Sequence, residues 1–244
     1  MDTLVEIVAT AGRGVRHRAT GGLAVRVTAP GHAQLIGTAA TPLGGDEIVV
    51  RVTVEPGAYL HLGSVAAAIA LPAHDRADSR ARWEITVGAG GRLRVDPQPT
   101  IVAGGAFHTS DIVVDLDPAA TLDLHEHVQI GRASSSGDPD RNRRDRAGRW
   151  TGGLRVEVGG GGGEVLLAHR VALGDRTPAA TAGHRAMSSV FRHPDDRPED
   201  VHPTAFAARL RLAGAATLTS ALGTSVAGTR RLADSLDAAA LVPH

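Results

Sequence analysis

The 244-residue chain contains neither lysine nor cysteine, and each absence removes a class of chemistry. Its 26 basic residues are all arginine, so a Walker-type phosphate loop, a Schiff-base lysine and a lysine general base are excluded. Any nucleotide hydrolysis that involves this chain must come from a partner. Without a thiol there is no disulfide framework, no thiolate metal site and no cysteine nucleophile. Aromatic residues are scarce: Tyr59, Trp83, Phe107, Trp150, Phe191 and Phe206 are the whole set. The core must therefore be filled by Val, Leu, Ile and Ala. The 26 acidic residues balance the 26 basic ones, so the electrostatic footprint of a nucleic-acid or anionic-membrane binder is missing. The longest apolar run, Val65 to Leu71, is far too short to span a bilayer. The opening Met1-Asp2-Thr3-Leu4-Val5-Glu6 also lacks the basic n-region of a signal peptide. The expectation is a soluble cytoplasmic protein with neither nucleic acid nor membrane as partner.

A repeated strand, turn, strand unit dominates what is present. Glu47 to Val54 alternates apolar and polar residues, turns at Glu55-Pro56-Gly57 and returns through Ala58 to Leu62. The same order recurs in Trp83 to Val87, Gly88 to Gly91 and Arg92 to Val95, and again in Asp111 to Leu116, Asp117-Pro118-Ala119 and Ala120 to Leu124. Looser copies run from Leu154 to Leu167 across glycines 159–163, and from Ala207 to Ser220 across Ala213-Gly214. Period-2 alternation with Gly/Pro turns is the strand signal, and a spacing of about 30 residues is that of stacked repeats. Such a unit cannot bury its inner face alone. The pattern predicts an all-β, β-helical or solenoid-like stack forming one domain over 1–244, with a plain sandwich as the alternative.

Four segments depart from that pattern. The mixed-charge stretch 133–149 and the polar stretch 192–203 read as mobile loops. A short helix is expected near 183–191. A last amphipathic helix is expected over 226–241, from the spacing of Leu232, Leu236 and Ala240.

The most eye-catching polar motif is His125-Glu126-His127, in an extended run from Leu122 to Ile130. On a strand the two histidines share one face and the glutamate takes the other, which differs from the helical His-Glu-x-x-His of zinc proteases. Two imidazoles on one face suit a borderline ion such as nickel; the simpler reading is a solvated strand face. Asp46, Asp96, Asp111, Asp115, Asp123 and Glu126 are acids in or beside strands, where aspartate is disfavoured. Either several of them line a path for a divalent cation, or they pair with arginines at the surface. Ser64, Ser134 and Ser135 lack a nucleophile elbow. Glycines 159–163 lack the Gly-Lys-Ser/Thr of a phosphate loop. An enzyme is the less favoured class.

The corner Asp96-Pro97-Gln98-Pro99-Thr100-Ile101 is stiff, because each proline fixes its own φ and pushes its predecessor into extended geometry. Pro42-Leu43-Gly44-Gly45-Asp46, the unit from Val54 to Leu62, this corner, and Glu126 to Gly131-Arg132 follow one another along the chain. Taken in order, these segments resemble the urease accessory protein UreD (UreH) family, in a divergent form like that of actinobacteria. The resemblance implies a noncatalytic scaffold with a β-helical fold and a few helices. It further implies binding to apo-urease and recruitment of UreF with the GTPase UreG, so that nickel enters the urease active site in transit, with no tightly bound cofactor. By the same resemblance Asp46 and Glu126, which sit inside the matching motifs, are the first candidate nickel ligands, with His125 and His127 as secondary metal candidates, and Gln98, Thr100, Gly131 and Arg132 are candidate partner contacts. A self-contained β-solenoid module or lyase acting on an extended polymer is the alternative, predicting an aromatic-lined groove in a chain that has few aromatics.

Overall fold

In the computed structural model, residues 1–131, 147–160, 162–174 and 183–238 are described. They are mostly strand: β1 (Asp2–Thr10), β2 (Gly14–Thr20), β3 (Leu23–Ala29), β4 (His32–Gly37), β5 (Glu47–Val54), β6 (Tyr59–Ser64), β7 (Ala68–Ala70), β8 (Asp78–Val87), β9 (Arg92–Asp96), β10 (Thr100–Val102), β11 (Phe107–Leu116), β12 (Thr121–Ile130), β13 (Arg149–Val158), β14 (Glu164–Leu173), β15 (Ala186–His193), β16 (Asp200–Val201), β17 (Ala207–Leu212) and β18 (Ala216–Gly223). One helix, α1 (Val226–Ala238), follows. A seven-stranded sheet has the order β14-β13-β11-β8-β5-β1-β2. An eleven-stranded sheet runs β16-β17-β18-β15-β12-β9-β6-β4-β3, with the short β10 paired to β12 and β7 paired to β10. Among the described residues no helix is long and apolar enough to cross a membrane.

The three close copies of the sequence repeat do not fold as hairpins. Their two arms lie in different sheets, β5 with β6, β8 with β9 and β11 with β12, and each arm pairs in parallel with the equivalent arm of the next copy. Val54 sits opposite Val87 and Val87 opposite Leu116 in the first sheet. Leu60 sits opposite Leu93 and Leu93 opposite Leu122 in the second. The turns between the arms are therefore corners, and the corners stack. The Gly88 and Asp117 amides donate to Val54 O and Val87 O, each at 2.8 Å, and Arg92 and Thr121 donate to Ala58 O and Gly91 O, each at 2.9 Å. Gly57, at the first corner, has φ 69°, which a glycine adopts without the Cβ clash other residues suffer. The two looser copies, β13 with β14 and β17 with β18, are antiparallel hairpins.

Alternation decides which side chains face inward. Ile48, Val50, Val52 and Val54 of β5 and Leu60 and Leu62 of β6 belong to one large apolar cluster between the sheets, together with Val87, Leu93, Val114, Leu122, Leu124 and Phe191. A smaller cluster gathers Val102, Ala106, Val128, Ile130, Trp150, Leu173 and Met187. At about 1.5–3 kcal/mol for each fully buried aliphatic side chain, this interface is the main source of stability.

The helix expected over 183–191 is instead the strand β15, paired on both sides by β12 and β18. Residues Ala186 to Phe191 are all buried, because one face of the strand looks into the core and the other lies against α1. A strand covered on both faces loses its alternation, so its periodicity does not separate it from a helix. The expected terminal helix is present over Val226–Ala238, and its remainder lies outside the described residues, as does most of the stretch 133–149. Within 192–203, the irregular residues 194–199 are anchored: Arg197 Nη2 reaches Asp195 Oδ2 at 2.6 Å and Arg197 Nη1 reaches Asp237 Oδ1 at 3.2 Å.

Candidate functional site

The Pro97-Gln98-Pro99 corner interrupts the second sheet beside His125-Glu126-His127. Strand β12 pairs with β9 up to Leu124 opposite Val95, and pairing resumes with β10 at Val128 opposite Thr100. Three residues of β12 thus face four residues of the corner, 96–99, and the ladder opens at that point. The preceding repeat copy opens at the same height: Ser64, at the end of β6, accepts the Gln98 amide on its hydroxyl at 2.9 Å. The prolines suit this position because they lack the N–H a continuous ladder would need.

Polar groups occupy both faces of β12 at this opening. On the inner face Glu126 lies between Leu124 of the large cluster and Val128 of the small one, and Ser110 Oγ on β11 donates to its Oε1 at 3.2 Å across the two sheets. Ser189, paired with Glu126, is buried at the same level. Next to Ser110 along β11, the buried His108 Nδ1 lies 2.9 Å from Ser79 Oγ. A belt of Ser79, His108, Ser110, Glu126 and Ser189 therefore separates the two apolar clusters. Burial sets the charge states along it. Loss of hydration, with a smaller push from Asp111, raises the Glu126 carboxyl to about 7 against the pull of Ser110, and burial drives His108 down to about 4.

On the outer face Asp96, His125 and His127 converge, each offering one donor atom, with these atoms within 4.8 Å of one another. Both imidazoles are buried, and their ring centroids are 5.9 Å apart. His125 Nε2 donates to Asp123 Oδ1 at 2.8 Å. Burial alone would raise Asp123, but His125, Arg192 and Arg94 overcome it and hold the carboxyl below its ordinary value. His127 is pushed down by burial. Arg94 grips Asp96 Oδ2 at 3.0 Å, and Arg230 from α1 grips Oδ1 at 3.2 Å. The helix roofs this cluster. It is held by Arg192 to Asp237 at 2.6 Å and by Gln129 Oε1, which accepts the Val226 amide at 2.9 Å.

The sequence-predicted residues thus separate. His125 and His127 meet on the outer face with Asp96, which sequence reasoning had among the strand acids but not among the ligands. Glu126 points inward. Asp46 stands apart at the start of β5, buried and fully bonded: Met1 N reaches Oδ1 at 2.8 Å, while Thr41 Oγ1 and the Leu43 amide reach Oδ2 at 2.8 and 2.9 Å. Burial opposes ionisation of Asp46, yet these bonds outweigh it and lower its pKa. Gln98 is exposed on the corner, and Thr100 is half-buried in β10. The Gly131 amide donates to Val102 O at 2.7 Å, and Arg185 donates to the Gly131 carbonyl at 2.6 Å. Arg132 lies outside the described residues. The belt residues Ser79, His108, Ser110 and Ser189 were missed; their signal is polar residues at inward positions of strands that pair or face one another.

Comparison with known proteins identifies the family. The family model described as UreD urease accessory protein matches residues 12–241. A curated relative from Streptomyces avermitilis, named Urease accessory protein UreD, is 35% identical over 210 residues, covering 82% of this chain and 78% of the relative. One of the same name from Streptomyces coelicolor is 35% identical over 225 residues, covering 88% and 85%. Urease accessory protein UreD 1 from Saccharopolyspora erythraea is 34% identical over 170 residues, covering 70% and 62%. This is an accessory family acting in urease maturation rather than a catalytic one, and the chain belongs to it: the UreD urease accessory proteins.

Proposed function

We propose that the protein is a cytoplasmic scaffold of urease maturation that binds apo-urease, recruits UreF and the GTPase UreG, and lets nickel pass as cargo into the urease active site. The observation that carries the reading is the family match across residues 12–241. The lysine-free composition supports a division of labour in which another chain hydrolyses the nucleotide. The parallel registers shared by both sheets over three successive copies support the β-helical arrangement expected of the family.

Within this reading Glu126 is the cargo ligand on the inner face. A carboxyl with a pKa of about 7 exchanges its proton near neutrality, so it can take up a cation and give it back. Carboxylate, hydroxyl and imidazole along the belt form a loose ligand set suited to transfer rather than storage. Asp46, bonded as it is, serves on this reading at the margin of the path. Gln98 and Thr100 on the corner, with Gly131 and Arg132 beyond β12, are the partner-facing group. The test is co-expression of urease subunits with UreF, UreG and this protein. Omitting this protein leaves urease without nickel and inactive, and Glu126→Gln lowers urease nickel content while UreF still co-purifies. Full nickel content and activity without this protein would remove the reading.

A further inference from the structure

We propose that Asp96, His125 and His127 form a site for a single borderline divalent cation, Ni2+ or Zn2+ in class, and that Arg230 of α1 is its built-in competitor. The argument begins with hydroxyl directions. Thr229 Oγ1 donates to Val226 O at 3.1 Å, since a carbonyl only accepts. With the Thr229 hydrogen placed there, Ser188 Oγ, 2.8 Å from Thr229 Oγ1, takes the donor role in that pair. Having spent its one hydrogen, Ser188 can only accept from His127 Nδ1 at 3.0 Å. The neutral His127 ring therefore carries its proton on Nδ1 and its lone pair on Nε2. That Nε2 is buried and has no hydrogen-bond partner, and it faces Asp96 Oδ1 at 3.7 Å. A lone pair buried against a carboxylate oxygen is an arrangement that a cation satisfies and a hydrogen bond does not.

The spacing fits as well. Two ligands about 2.1 Å from a tetrahedral ion stand about 3.4 Å apart, so the 3.7 Å pair needs only a small contraction. His125 is the third member of the group, whose donor atoms all lie within 4.8 Å of one another, and its Nε2 also contacts Asp123 Oδ1 at 2.8 Å. Two imidazoles with one carboxylate select nickel, zinc and their neighbours over magnesium or calcium.

Arg230 sets the terms of binding. Its guanidinium holds Oδ1 of Asp96, the same oxygen that faces His127, whereas Arg94 holds Oδ2 and can stay. Cation and Arg230 exclude each other, and the half-exposed Arg230 can swing into solvent. Thr229, its neighbour on α1, anchors the relay that fixes the His127 tautomer. One turn of helix thus both aligns a ligand and supplies the competing charge. By reciprocity, a cation that displaces Arg230 loosens α1, and a loosened α1 admits the cation more readily.

The inference rests on the maturation reading only for which cation the site meets in the cell. The test is calorimetric titration of the untagged full-length protein with NiCl2 and ZnSO4, with MgCl2 as control, alongside hydrogen exchange of residues 226–238. Support is a Ni2+ or Zn2+ site that Arg230→Gln tightens roughly fivefold or more, that His127→Gln and Asp96→Asn each weaken about tenfold or more, and whose filling speeds exchange in α1. Equal affinity in wild type, His127→Gln and Asp96→Asn overturns it, as does failure of Arg230→Gln to bind either cation. Circular dichroism on each variant separates ligand loss from misfolding. Urease activation, scored separately, tests the maturation reading and moves neither outcome.

Discussion

Replacing Glu126 by Gln should make the protein more stable at neutral and alkaline pH while impairing its function. The carboxyl titrates at about 7 in the folded protein against 4.5 for an ordinary glutamate. Between those values the native state keeps a proton that the unfolded state has released. Its contribution is therefore fully present below about pH 4.5 and is lost as pH rises through 7. At about 1.4 kcal/mol per unit, the loss is on the order of 3 kcal/mol. His108 works in the opposite sense. Its folded value of about 4 lies below the ordinary 6.5, so the native state holds fewer protons in that window and stability falls as pH drops. Over pH 4.5 to 6.5 the two slopes oppose one another and the wild type should look nearly flat. In Glu126→Gln the His108 slope stands uncovered, so stability should climb from pH 4.5 to 6.5 and exceed wild type by about 3 kcal/mol at pH 8. Urea unfolding of both proteins at pH 4.5, 6.5 and 8 measures this. Equal stabilities at pH 8 would show that the carboxyl is hydrated and that the belt does not sit in the interior.

Three further outcomes follow from the packing. A Cβ at Gly152 would collide with the Trp150 indole, so Gly152→Val should cost about 1–3 kcal/mol by overpacking, read as a lower urea midpoint at unchanged slope. Arg209 is buried and donates to the Pro198 carbonyl at 2.9 Å and to the Leu236 carbonyl; Arg209→Met should strand both and cost about 3–5 kcal/mol, lowering Tm by about 10 °C in a thermal scan. Gln98 is exposed, and only its backbone amide bonds to Ser64, so Gln98→Ala should leave Tm within about 1 °C and weaken retention of UreF or urease in a pull-down; undiminished retention would free the corner of a docking role.

The strands were legible because apolar alternation is a local property, and the copies around Val54, Val87 and Leu116 keep it cleanly. Whether their turns make hairpins or corners was not legible. Glu55-Pro56-Gly57 closes an i to i+3 turn in either case, and the choice between partners is made by residues of the next repeat copy, about 30 positions away. The helix expected at 183–191 failed for a related reason, since α1 covers a face of β15 that nothing within that segment announces. At the candidate site the opposed faces of His125 and Glu126 followed from the two-residue period alone. Asp96 did not, because its place beside the histidines depends on the parallel pairing of β9 with β12. Ser79, His108 and Ser110 each look like ordinary interruptions of a strand until the register stacks them.

The stacked corners also say how this chain must fold. In the stretch from β5 to β12 no strand of either sheet lies next to its partner in sequence: Val50 must find Trp83, and Leu60 must find Leu93. Among the described residues, local pairs lie only toward the ends, in β1 with β2, β3 with β4, β13 with β14, β16 with β17 and β17 with β18. Closing a loop of about 30 residues before any ladder forms makes this middle slower to assemble than a local hairpin, because the closure entropy is lost before the contacts that offset it. During that interval the inner faces of β5, β8 and β11 stand open beside unpaired strand edges. The stretch that holds the inner belt in place thus depends on distant pairings, and is the one most in need of protection on a newly made chain.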